Sequence, residues 1–280
     1  DTIAVIQIIH GMAEHKERYE KFAEFLVKNN ITVYIADIRG HGEHINSSTE
    51  GYFHEENGWN RVVEDMRIFT EKISKENEGK PLFILGHSMG SLLLRDYITK
   101  YKTLYSGIIL SGTASPVGFK GHIAKLIIKK SLKKGGKSKN HKLDSLIFGS
   151  NNKPFEPSRT KFDWLSRDEE VVDRYIEDEK CGFVCTTKFY DDLLEGLLNL
   201  DKNSNLEKIK KDTPVMIFSG EMDPVGGLTK GVKKVYKKYK KTGMKDVTLK
   251  FYEDSRHECL NEINKVEVYT DIVNWINSKI

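Results

Sequence analysis

Short, nearly continuous apolar runs alternate along this chain with stretches whose apolar residues return every three or four positions. IAVIQII (3–9), TVYIADI (32–38), PLFILG (81–86), GIILSG (107–112), PVMIFSG (214–220) and VTLKFY (247–252) read as strands. Helical patterns fall near Arg18 to Asn29, near Trp59 to Glu76, after Ser88 and near Val266 to Ile276. The alternation predicts an α/β fold with a parallel sheet, and the lack of polar positions within the runs predicts helices on both faces. Between Thr113 and Leu206 the alternation stops and the sequence turns helical, charged and interrupted by Gly and Pro. The pattern then resumes. We therefore expect one domain, with a core formed by 1–112 and 207–280 and a helical cap formed by 113–206, over the carboxyl ends of the strands.

Composition narrows the class. Charged residues are 31% of the chain and hydrophobic residues 38%, with a mean hydropathy of −0.50, the balance of a soluble globular protein. No run approaches the roughly 18 apolar residues of a membrane helix, and no signal peptide is evident, so a cytoplasmic location is expected. The opening residues lead directly into a strand, which suggests that the natural protein begins earlier. Cys181, Cys185 and Cys259 lack the spacing of a structural zinc site and read as reduced packing residues. The 45 basic and 41 acidic residues are too nearly balanced to make nucleic acid the partner.

Charge is nevertheless uneven locally. Nine lysines fall between Lys120 and Lys142 without one acidic residue. Ile123, Leu126, Ile127 and Ile128, flanked by Lys120, Lys125, Lys129 and Lys130, allow two readings. One is an interfacial helix resting on anionic lipid, possible only as a transient, peripheral membrane contact. The other, favoured because length and amphipathic pattern alone do not mark a membrane helix, is a helix whose apolar face packs on the core while its lysines are solvated. The Lys-rich stretch from Lys230 to Lys241 is a solvated face, because Val232, Val235, Tyr236 and Tyr239 recur at helical spacing on the opposite side.

Candidate chemistry centres on Gly86-His87-Ser88-Met89-Gly90, which joins an apolar strand to the helical run SLLLRDYITKY. A G-x-S-x-G turn in that context lifts the serine hydroxyl into the open, and the glycines let two backbones pass closely. A serine needs a base, and the base a carboxylate. Asp223, in GEMDPVG after one strand, and His257, in SRHE after the next, supply them in the chain order Ser, Asp, His, with Glu221 as the competing carboxylate. Acyl transfer also requires two donors aimed at the oxyanion, each worth about 3 kcal/mol. The backbone amides of Met89 and of Met12, the latter in His10-Gly11-Met12 after the first strand, are the candidates, with His10 and Gly11 shaping that loop. Nothing resembles a P-loop, an H-E-x-x-H metal site or a dinucleotide fingerprint, so no cofactor and no metal are expected.

The set HGMAEH (10–15), DIRGHG (37–42), GHSMG (86–90), GEMDPVG (220–226) and SRHE (255–258) resembles the monoglyceride lipase and lysophospholipase branch of the α/β-hydrolases, the serine aminopeptidase S33-type hydrolases. The segment 163–168, DWLSRD, with Cys181-Gly182-Phe183, resembles that branch's cap. The resemblance implies an α/β-hydrolase fold with the cap inserted after the sixth strand. It also implies ester hydrolysis of single-chain lipids, with Ser88 attacking, His257 shuttling the proton and Asp223 orienting it. Two departures stand out: the strands that family members usually carry before the HG loop are absent, and Glu43-His44 stands where RGHG is commonly followed by x-Ser. The same triad would serve a short-chain carboxylesterase or a proline-type aminopeptidase, which needs a carboxylate such as Glu14, Glu43 or Glu195 for the substrate amine. A different class, an inactive lipid- or partner-binding module, would keep the fold without the reaction. Oligomeric state is left open.

Overall fold

A computed structural model describes residues 1–46, 49–102, 104–114, 118–200 and 202–280, the side chains of residues 44, 119 and 120 excepted. The lysine expected at 120 beside the apolar helix, and the His44 departure, thus lie outside the described side chains.

Six strands, β1 (Ala4–Ile9), β2 (Ile31–Ile35), β3 (Leu82–His87), β4 (Gly107–Ser111), β5 (Val215–Gly220) and β6 (Val247–Tyr252), form one sheet in the order β2-β1-β3-β4-β5-β6. Every pairing is parallel. Alternate residues serve opposite faces: Phe83 and Leu85 join the core under helices α1 (Glu20–Lys28) and α10 (Lys265–Asn277), whereas Ile84 joins the core under α2 (Gly58–Glu76) and α3 (Met89–Lys100). The order changes direction between β1 and β3, so their carboxyl ends border a crevice, the place where open α/β sheets bind ligands.

The second strand is shorter than the sequence pattern predicts. It ends at Ile35 because the next residues serve the β1 loop instead: the Ile38 amide donates to His10 Nε2 (2.9 Å) and the Asp37 carboxylate accepts the Lys16 amide (2.9 Å).

The segment between β4 and β5 carries α4 (Gly118–Leu132), α5 (His141–Phe148), α6 (Glu169–Glu177), α7 (Thr187–Leu200) and α8 (Asn203–Leu206). α9 (Lys230–Lys241) then joins β5 to β6. Counted along this chain, this segment follows the fourth strand rather than the sixth. The expected number includes strands that family members carry before the HG loop, and here β1 itself leads into that loop. α7 is not purely a covering element, since Phe189 packs against Phe53 with tilted rings (centroids 4.5 Å apart) and Gly196 lies against the Trp59 indole of α2.

The packing expected of α4 is also corrected. Ile128 is buried, but Ile123 (49% exposed), Leu126 (70%) and Ile127 (45%) face outward, and Leu146 and Ile147 of α5 are exposed too. The four residues do not share one helical stripe, so the chain can bury only part of the set. The lysines of α9 stand opposite buried Val232, Val235 and Tyr239.

Candidate active site

Ser88 sits at the tip of the β3–α3 turn with φ 50° and ψ −119°. That region costs a non-glycine residue about 1–3 kcal/mol, and the surroundings enforce it. A side chain at Gly86 would collide with the Gly90 carbonyl, and one at Gly90 with the Ile9 carbonyl, so the turn closes only with both glycines. The Ser88 amide donates to Ser111 of β4 (2.9 Å), which ties the turn to the next strand.

The structure brings Ser88, His257 and Asp223 into one hydrogen-bonded chain. His257 Nε2 lies 2.9 Å from Ser88 Oγ, and His257 Nδ1 lies 2.9 Å from Asp223 Oδ1. Asp223, fully buried, also accepts the Val225 amide (2.9 Å) and the Ser219 hydroxyl (2.9 Å). Glu221, its sequence competitor, is exposed. Burial works against charge on both partners. The mutual attraction and hydrogen bond outweigh it, leaving Asp223 below and His257 above their ordinary pKa values. Gly112 has φ +55° and approaches the His257 ring so closely that an added Cβ would stand 3.1 Å from Cε1.

Among the described residues neither the Met12 nor the Met89 amide has a backbone acceptor; Met12 borders the cavity with Ser88, and Met89 follows Ser88 as the first residue of α3. His10 is buried and has both ring nitrogens engaged: Nε2 accepts the Ile38 amide, so Nδ1 carries the proton and donates to the Gly11 carbonyl (2.8 Å). His87 packs beside His257 (ring centroids 4.9 Å apart) and contacts the Ser111 hydroxyl. Burial first, then the neighbouring His257, lowers its pKa to about 4, which keeps it neutral.

One network beside the site escaped the sequence reading, which named Glu14 only as an anchor for a substrate amine. Glu14 accepts the Gly11 amide (2.5 Å) and the Tyr19 hydroxyl (2.9 Å), while buried Arg18 bridges Glu14 (2.6 Å) and Glu258 (two bonds of 2.6 Å). Burial resists the charge on Glu14, but Arg18 holds its pKa down near 2. The Glu14–Arg18 spacing of four was a usable signal. Glu258, 240 residues away, was not.

These groups border a cavity of about 240 Å³ whose walls include Phe148, Phe162, Trp164, Leu165, Tyr175 and Phe183. A larger cavity, about 500 Å³, lies beside Arg39, Tyr52 and Phe69 and touches none of Ser88, Asp223 and His257. The reactive geometry marks the smaller one as the candidate site.

The sequence pattern of the hydrolases described as serine aminopeptidase, S33 matches residues 1–264. This chain belongs to that family. Within the S33 hydrolases and their kin it is 26% identical to the monoacylglycerol lipase of Mycolicibacterium smegmatis, over all of this chain and 90% of the relative. It is 27% identical to the human monoglyceride lipase, over 99% of this chain and 83% of the relative. Among solved structures, a thermostable carboxyl esterase from Bacillus coagulans in complex with glycerol superimposes with a TM-score of 0.92 at 24% identity, covering all of this chain and 91% of that one. A Saccharomyces cerevisiae monoglyceride lipase with a substrate analogue gives 0.77 at 21%, covering all of this chain and 87% of that one. The chain has the α/β-hydrolase fold.

Proposed function

We propose that this S33-family protein hydrolyses carboxylic esters of single-chain lipids through an acyl-enzyme on Ser88. The observation that carries the reading is the Ser88–His257–Asp223 hydrogen-bonded chain opening into a cavity walled by aromatic side chains. Ser88 Oγ attacks the ester carbonyl as His257 Nε2 takes its proton, and Asp223 holds the ring and stabilises the imidazolium. The amides of Met12 and Met89 receive the oxyanion. Collapse expels the alcohol, protonated by His257, and water repeats the sequence to release the acid. In this reading residues 113–206 form a cap over a core of 1–112 and 207–280. The relatives named as monoacylglycerol lipases support the lipid class.

The aminopeptidase alternative lacks a free anchor for the substrate amine. Glu14 is the only one of the three nominated carboxylates that borders the cavity, and both its oxygens are engaged by Gly11, Tyr19 and Arg18. Glu43 pairs with Lys16, and Glu195 is exposed on α7.

The exposed Ile123, Leu126 and Ile127 of α4 and Leu146 and Ile147 of α5, with exposed Lys129, Lys130, Lys133 and Lys134, support peripheral docking on anionic lipid. No described helix is long and apolar enough to cross a membrane.

The deciding experiment is hydrolysis of a matched panel: long-chain monoacylglycerol, lysophosphatidylcholine, short p-nitrophenyl esters and proline-terminated peptide amides. Ser88→Ala and a fluorophosphonate probe serve as controls. Preference for the long single-chain lipids, lost in Ser88→Ala, supports the reading. Preference for peptide amides replaces it with the aminopeptidase, and absence of both turnover and probe labelling replaces it with a binding module.

A further inference from the structure

Behind one wall of the cavity stands a cluster of metal-ligating side chains that the proposed chemistry does not use. His15 ends the HG loop, Asp178 follows the last residue of α6, and Cys181 comes three residues later. His15 Nε2 or Nδ1, an Asp178 carboxylate oxygen and Cys181 Sγ all lie within 4.8 Å of one another, the only such group of three among the described residues. His15 and Cys181 are buried and Asp178 is half-buried.

The cluster is held in position from outside. Asp178 Oδ1 accepts the Lys180 amide (2.8 Å), which leaves Oδ2 turned to His15 Nε2 at 2.7 Å. On the far side of the ring the Glu17 carboxylate stands 3.6 Å from His15 Nδ1. Without an ion Nε2–H donates to Asp178 Oδ2; when an ion replaces that proton, Glu17 stands where it receives the proton moved to Nδ1, an arrangement that recurs behind metal-bound histidines. Lys180 Nζ lies 3.8 Å from that same Glu17. Arg18 is the other cation near Cys181, and Glu14 and Glu258 occupy its guanidinium. A cavity of about 350 Å³, bordered by His15, Glu17 and Asp178, gives the cluster an entry path and room for water.

We propose that His15, Asp178 and Cys181 bind a divalent transition ion of the zinc class, with a water from this cavity as fourth ligand. One nitrogen, one oxygen and one sulfur donor suit zinc or cobalt and are a poor set for magnesium or calcium, which require oxygen ligands. The Cys181 thiol gives its proton to solvent as the metal–sulfur bond forms, and the carboxylate and thiolate then balance the ion's charge. The proton shared by His15 and Asp178 gives way to the ion. Tetrahedral ligands at zinc distances stand about 3.3 Å apart, so the 2.7 Å pair must open by roughly 0.6 Å.

The expectation of no metal rested on local motifs and cysteine spacing, which do not register ligands that the fold brings together from separate segments; the site takes no part in the reaction at Ser88. Its consequence is mechanical. The Gly182 amide and the Tyr175 hydroxyl both donate to the Ala13 carbonyl (2.9 Å each), next to Met12. An ion on Cys181 and Asp178 therefore fastens the HG loop to the segment after α6, and Tyr175 forms part of both cavity walls.

The test uses the tag-free, metal-stripped full chain titrated with cobalt(II). The site gives a thiolate-to-cobalt charge-transfer band that saturates at one ion per chain and is displaced by zinc. Cys181→Ser removes the band, whereas Cys185→Ser and Cys259→Ser keep it. Asp178→Asn weakens the ion at least tenfold, with its fold checked by p-nitrophenyl ester turnover. Zinc raises the thermal midpoint of the wild type and not of Cys181→Ser. Absence of the band in the wild type, its survival in Cys181→Ser, or unchanged affinity in a folded Asp178→Asn overturns the proposal. None of these readouts depends on which ester the protein cleaves.

Discussion

Arg18 joins the two loops that would handle opposite charges in the reaction: through Glu14 it fixes the Gly11 amide beside Met12, and through Glu258 it fixes the residue after His257. Replacing it with Met leaves two buried carboxylates without a cation, a change that costs about 3–5 kcal/mol. We expect Arg18→Met to lower kcat more than tenfold with little effect on KM, because the loss falls on alignment rather than on ground-state binding. Arg18→Lys recovers only part of it, since an ammonium cannot make the paired bonds to Glu258. Steady-state kinetics and thermal unfolding of the two variants check this. His257 gives a second prediction at this scale. In the proposed reaction His257 must be neutral to accept the Ser88 proton, and the Asp223 carboxylate outweighs burial to raise its pKa above 6.5. Activity therefore falls as pH drops through the raised value, and the acid limb of kcat/KM has its midpoint above 6.5. Asp223→Asn moves that limb to lower pH and reduces kcat on the order of 10⁴-fold. A limb at or below 6.5 in the wild type contradicts the assignment. Ser88, Asp223 and His257 were legible in the sequence because each follows an apolar strand in a fixed order. The Arg18 bridge was not, because its strongest partner comes from the other end of the chain.

Single helices were legible as helices, and their orientation was less so. α9 was read correctly because its apolar residues lie on one face, with Val232, Val235 and Tyr239 buried. In α4 the run Leu126-Ile127-Ile128 is wider than one face, and only the neighbouring helices decide that Ile128 turns inward. The resulting exposed set predicts behaviour on a surface. Full burial of a leucine side chain is worth about 1.5–3 kcal/mol, and Leu126 begins 70% exposed. Leu126→Glu also adds a charge opposed to anionic lipid. We expect it to weaken co-sedimentation with phosphatidylserine-containing vesicles by about tenfold, equal to 1.4 kcal/mol. Turnover of a soluble short ester should not change. Neutralising Lys129 and Lys130 should reduce the vesicle effect in a salt-dependent manner. If partitioning is insensitive to both changes, α4 is a covering helix with a solvated face and the docking surface lies elsewhere.

Across the whole molecule, the segment between β4 and β5 is fastened to the loop that carries His257. The His257 and Glu258 amides donate to the Trp164 and Leu165 carbonyls (3.3 and 2.8 Å), and the Arg256 guanidinium donates to the Asp163 carbonyl (2.5 Å). Fully buried Glu262 completes the joint by accepting from the Arg256 amide (2.8 Å), the Arg167 amide (3.1 Å) and Arg167 Nε (3.0 Å). These contacts account for the motif at 163–168, whose role could not be read from its local pattern because the partners that join it to the His257 loop lie about 90 residues away. The same joint makes stability and the proposed chemistry depend on each other. Glu262→Ala removes the acceptor shared by both sides and leaves Arg167, 24% exposed, without its main carboxylate. A cost of about 3 kcal/mol follows. Because β1 to β6 make no contact with that carboxylate through their ladders, the loss should be local: hydrogen exchange in 163–177 and 255–264 should accelerate more than tenfold while the central strands keep their protection. kcat should fall with it, as His257 loses the backbone contacts that hold its loop from above. Uniform acceleration across the sheet would instead mean that insertion and core unfold as one unit, with Glu262 contributing to overall stability rather than to the position of His257.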